Sequence, residues 1–167
     1  MRAVGVLIAI ALALALQTTL ARFLVGGTAA IDLVLVVVAY VALVFGPATG
    51  MLTGSAAGII QDALSSGIIG VGGLAKSIVG FLVGVFGQQF IVTAALPRFV
   101  MFVAATAAHS ALFMGLYALL GLRTFPSPWA AVLSQAVGNG VVGLIAFTIV
   151  ESFPGVVERL RMRRSRR

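Results

Sequence analysis

The sequence has no cysteine, one histidine, one tryptophan and only four acidic residues among 167. Without cysteine there is no disulfide framework, no thiolate metal site and no cysteine nucleophile. Charged residues make up 9% of the chain, against about a quarter in an ordinary soluble domain. A sphere of this size could not cover itself with so little polar surface, so an ordinary cytosolic or secreted domain is excluded. Apolar residues are abundant instead, at 61% with a mean hydropathy of +1.19. A spanning helix needs about 20 apolar residues, which leaves room for about five or six spans and no soluble domain. The chain reads as an all-α polytopic membrane protein, with a single transmembrane helical domain over residues 1–152 and a basic tail over 153–167.

The net charge of +7 could suggest a nucleic-acid partner, but its placement argues otherwise. Arg159, Arg161, Arg163, Arg164, Arg166 and Arg167 crowd the last nine positions. A basic cluster just after an apolar segment is a topology signal and a contact for anionic lipid. With six spans, these arginines, Arg2 and Arg98 fall on one side, against Arg22, Lys76 and Arg123 on the other. The positive-inside rule then puts both termini in the cytoplasm.

The first apolar run, Ala3 to Leu20, has a cleavage-like Ala13-Leu14-Ala15 and so could be a signal peptide. The run continues past that site and further runs follow, which favours an uncleaved span. The second run, Ile31 to Phe45, is short and valine-rich. An open sheet edge is not viable in lipid, so it is expected to be helical, with Asp32 accepting the free N–H groups at its start. Gly46-Pro47 leads into a third run to about Leu64. A fourth covers about Gly70 to Phe90, a fifth Pro97 to about Leu120, and a sixth Trp129 to Val150. A five-span chain, with the second and third runs merged into one re-entrant unit, is the alternative.

Gly46, Gly50, Gly54 and Gly58 recur every four residues, and Gly80 and Gly84 repeat the spacing in the fourth run. On a helix such residues share a face on which another helix can approach at backbone distance. The series predicts tight packing of the third helix, against its own neighbours or against a separate protein. Asp62 and Lys76 flank a short turn, so antiparallel helices would bring them to similar depth. Pairing would relieve the cost of an intramembrane charge, although independent snorkelling would too. His109 lies mid-span, where it can hydrogen-bond a neighbouring helix through Gln135 or Asn139, or else relay protons.

Catalytic constellations are nearly absent. Ser55 and His109 lack the context of an activated serine, and Asp32 and Asp62 lie near helix ends rather than facing each other as a proton-sharing pair. No HExxH, P-loop or paired-carboxylate motif occurs. The residues point to a non-enzymatic protein without cofactor or metal.

The stretch from Asp32 to Gly84 resembles the rod shape-determining protein MreD family. The likeness lies in Asp32 opening a Leu/Val run, Tyr40, Gly46-Pro47, Gly50, Gly54, Gly58, Gln61-Asp62, Leu74-Ala75-Lys76 and Gly80. The resemblance implies a multi-pass protein of the bacterial plasma membrane that scaffolds the cell-elongation machinery. It implies binding to the transmembrane segment of MreC, and a place beside MreB, RodA and a penicillin-binding protein in coupling filaments to peptidoglycan synthesis. The family is also similar in architecture to the six-helix substrate-binding subunits of energy-coupling-factor transporters. A vitamin-type carrier subunit is therefore the alternative function. The Ala9/Ala13 and Ala11/Ala15 spacings echo the small-residue contacts such subunits use.

Overall fold

A computed structural model describes residues 2–23, 31–65, 68–89, 94–122 and 128–152. Among these residues all regular structure is helical, in six helices: α1 (Arg2–Phe23), α2 (Leu33–Phe45), α3 (Pro47–Leu64), α4 (Val71–Gln89), α5 (Ala95–Leu119) and α6 (Trp129–Glu151). The terminal arginines of the expected lipid contact, from Arg159 onward, lie outside the described residues.

The shortest helix is the central one. α2 has 13 residues, about 20 Å of rise, and it touches each of the other five helices. Its sequence is apolar on every side, as a helix surrounded by others requires, and Val34, Leu35, Val36, Val38, Ala39, Val41 and Ala42 are all buried. The β-branched residues that would favour a strand in water are accommodated here because a helix satisfies its backbone groups internally.

Gly46 alone joins α2 to α3. Its N–H donates to Ala42 O (2.9 Å) and its carbonyl accepts from Gly50 N–H (3.0 Å), so one residue ends one helix and starts the next. That role requires φ +95°, which glycine adopts without a steric penalty. Pro47 follows in the first turn, where its missing N–H costs nothing.

The glycine series faces inward onto α4. A Cβ on Gly50 would lie 2.5 Å from both Gly80 O and Ala42 Cβ, and one on Gly58 would lie 2.6 Å from Gly73 Cα. A Cβ on Gly54 would strike the Lys76 carbonyl, and one on Gly84 would strike Pro47 Cα. Helices α3 and α4 therefore meet backbone to backbone. The face that could have served a separate protein is occupied by the chain itself.

Helices α5 and α6 form a second pair with a different filling. Gly140 and Gly143 lie under the rings of Phe99 and Phe102, each ring standing where a Cβ would be. At one end of the pair Arg98 grips Glu151 bidentately, at 2.7 and 2.6 Å. The Arg98 guanidinium also stacks 4.5 Å from the centroid of Phe147, whose ring meets Tyr40 of α2 at 4.6 Å.

The outward faces are apolar. On α6, Ala136, Asn139, Gly140, Gly143 and Phe147 turn inward, whereas Leu133, Val137, Val141, Ile145 and Ile149 lie exposed. Helices α4, α5 and α6 are long and apolar enough to cross a membrane. The apolar stretch Val4–Thr19 of α1 and the whole of α2 are shorter. Aliphatic faces of this extent belong against lipid or another protein.

Candidate functional site: a buried polar node at the start of the second helix

Because α2 is short, it begins deep among its neighbours. Its first residues lie level with Asn139, about ten residues or 15 Å in from the start of α6, and with His109, a similar distance from the end of α5. A helix start leaves backbone N–H groups without intrahelical partners, and in a buried site each such group is costly unless satisfied. Three side chains meet that need. Asp32 Oδ1 accepts from Leu35 N–H (3.0 Å), Gln17 Oε1 of α1 accepts from Val34 N–H (3.2 Å), and Asn139 Oδ1 of α6 accepts from Asp32 N–H (2.8 Å). The expected N-terminal role of Asp32 is what the geometry has.

The capping carboxylate is itself buried, at 4% exposure, and its counterion is Lys76, at 3%. Lys76 Nζ lies 2.9 Å from Asp32 Oδ2 and donates to His109 Nε2 at 3.1 Å. An ammonium only donates, so the ring accepts at Nε2 and carries its proton on Nδ1. Asn139 is oriented in turn, since its Nδ2 donates to Thr106 Oγ1 (3.0 Å), which donates to Phe102 O (2.8 Å). Side chains from α1, α2, α4, α5 and α6 thus converge on one helix start.

Two expectations need correction. Asp62 does not pair with Lys76. Its Oδ2 accepts from the N–H groups of Gly70, Gly72 and Gly73 at 2.9, 3.0 and 3.2 Å. The start of α4 offers free donors right beside Asp62, while Lys76 lies about a turn further in. The Lys76 carbonyl faces Gly54 of α3 and its ammonium reaches α2. The N–H cluster competes for the carboxylate and wins by proximity. His109, in turn, hydrogen-bonds across helices to Lys76 and not to Gln135 or Asn139.

The other expected residues sit apart from the node. Gly46, Gly50, Gly54, Gly58, Gly80 and Gly84 build the α2–α3 joint and the α3–α4 contact. Gln17 and Thr106 of the node, and the Arg98–Glu151 pair apart from it, are contacts that the sequence reading does not predict. Arg98 and Glu151 open the fifth run and close the sixth, and an antiparallel hairpin places those ends together, so their pairing was available from topology. Gln17 and Thr106 carried no signal beyond being polar within an apolar helix.

Chemically, the node holds a carboxylate, an ammonium and an imidazole that already satisfy one another. No group of three or more His, Cys, Asp or Glu capable of holding a metal occurs among the described residues.

No curated protein and no solved structure matches the chain. A family model does match, over residues 1–153 of the 167. With its all-helical architecture and aliphatic outer faces, this membrane protein belongs to the family of the rod shape-determining protein MreD.

Proposed function

We propose that the chain is a non-enzymatic scaffold of the bacterial cell-elongation complex. In this reading it grips the transmembrane segment of MreC and helps couple MreB filaments to peptidoglycan synthesis by RodA and its penicillin-binding partner. The family match carries the role in shape determination. The chemistry of the described residues supports the scaffold part, because the buried polar groups of the node are spent on one another and on a helix start. In this arrangement the helices form a multi-pass bundle in the inner membrane, with the short α2 beginning inside it, both termini are cytoplasmic, and the arginine tail meets anionic lipid, each arginine adding about 1 kcal/mol near the surface.

The test is photo-crosslinking in native membranes from lipid-facing positions of α3 and α4, such as Leu52 and Phe81, both exposed, followed by identification of the product. A single-span partner captured with MreC's mass supports the scaffold. Failure to capture any partner, together with a vitamin retained on the purified chain, would favour the carrier alternative.

A further inference from the structure

The helix starts of this chain are finished in two ways. Those of α3, α5 and α6 have no side-chain cap, which suits ends whose free N–H groups water can reach. The start of α2 is capped by the buried Asp32 because it lies inside the bundle. The start of α4 is finished like that of α2. Asp62, itself buried, accepts from Gly72 and Gly73, while Val71 N–H donates to Ile68 O (3.3 Å) and Leu74 N–H to Gly70 O (2.8 Å). All four of its first N–H groups therefore have partners within the chain. The turn that precedes it is served from two helices, since Gly70 N–H reaches Asp62 of α3 and Ile68 N–H reaches the Tyr117 hydroxyl of α5 (3.4 Å). Ser65 Oγ donates back to Gln61 O (2.7 Å).

The side chains of this turn agree with its backbone. No charged residue lies between Asp62 and Lys76, and the turn exposes Ile68 and Ile69, the latter at 65%. They continue the aliphatic outer faces of the two helices, Ile60 and Leu64 on α3 and Leu74 and Ile78 on α4. The connection from α5 to α6, at the same end of the bundle, contains Arg123 and Thr124 instead. Lengths point the same way. From the opposite end, marked by Gln88, Gln89 and the Arg98–Glu151 pair, α3 rises 18 residues, about 27 Å, and α5 rises 25, about 37 Å. The hydrocarbon of a bilayer is about 30 Å thick.

We propose that the α3–α4 turn ends within the hydrocarbon, and that the surface formed by Ile68 and Ile69 takes lipid acyl chains. A turn in water can leave its donors to solvent, whereas one in lipid must satisfy them internally, and this turn spends Asp62 and Tyr117 on doing so. Continuity with the lipid-facing sides of α3 and α4 makes acyl chains the occupant, rather than a separate protein. The inference is independent of what the chain binds elsewhere.

Trp129 is the one tryptophan in the sequence and is exposed at the start of α6, so fluorescence can report depth on the full-length protein in phosphatidylcholine nanodiscs. In a Trp129→Phe background, Ile69→Trp should lose as much intensity to bromine on the acyl chains as Val137→Trp, an exposed position about two turns into α6. It should resist acrylamide and emit to the blue of native Trp129. Acrylamide quenching as strong as that of Trp129 overturns the proposal, because the turn then lies in water. Protection from both quenchers also overturns it, because protein then covers the site. Should Ile69→Trp not fold, Ile69→Cys gives a second reading in this cysteine-free chain. It should resist a membrane-impermeant maleimide that modifies Leu122→Cys, exposed just past α5; modification of both at equal rates overturns the proposal.

Discussion

The α3–α4 contact and the seam between α2 and the α5–α6 hairpin solve the same problem by opposite means. The first is dry and made of backbone: Gly50, Gly54 and Gly58 lie against Gly80, Lys76 and Gly73, with no space for a methyl group. The second is made of side chains, with an ammonium, an imidazole and an amide meeting around a helix start. In lipid, association gains nothing from excluding water, so helices rely on close van der Waals approach or on interhelical hydrogen bonds. This chain uses the first where two long helices run side by side, and the second where a short helix begins inside the bundle and leaves donors to satisfy.

The largest effect should come from splitting the charges of the polar node. Lys76→Met leaves the Asp32 carboxylate buried without a partner, and loss of one member of a buried pair costs about 3–5 kcal/mol. Reversible unfolding in mixed micelles should show that loss. Next comes the dry contact: Gly54→Leu puts a side chain where the Lys76 carbonyl lies, and overpacking of this kind costs about 1–3 kcal/mol or more. Gly115→Leu provides the control, because nothing lies within 4 Å of its Cβ position. Wild-type stability in Gly54→Leu would end the claim that α3 and α4 meet at backbone distance.

Smaller effects sharpen the contrast. Asp62→Ala removes the acceptor for three N–H groups at the start of α4, and loss of such a cap costs about 0.5–2 kcal/mol. Lys76→Met on that background should add its full independent penalty, since the two residues do not pair. Arg98→Lys exchanges a bidentate grip on Glu151 for a single contact. Glu151 is 40% exposed, so solvent screening holds the expected loss to about 1 kcal/mol or less.

The same contrast marks what could be read from the sequence. The helices were legible because each is an apolar run bounded by glycine, proline or charge, and for the short second run because lipid excludes the strand its valines would favour in water. The close packing of α3 was legible because a four-residue glycine spacing maps directly onto one helix face, but that α4 fills that face was not. The node was legible only in its members, Asp32, Lys76 and His109, and not in its pairing. Asp32 and Lys76 are 44 positions apart, and which carboxylate the lysine meets depends on how deep α2 begins. The three free N–H groups at the start of α4 also had to be counted as competitors for Asp62. Spacing in sequence carries neither quantity, while proximity across a short turn pointed to the wrong carboxylate.

The most direct test is a double-mutant cycle on unfolding free energy with Asp32→Asn, Lys76→Met and the two combined. If the start of α2 is sustained by a buried ion pair, each single change is strongly destabilising and the double variant recovers much of the loss. Strictly additive losses, with the double variant as unstable as the sum of the singles, would contradict it.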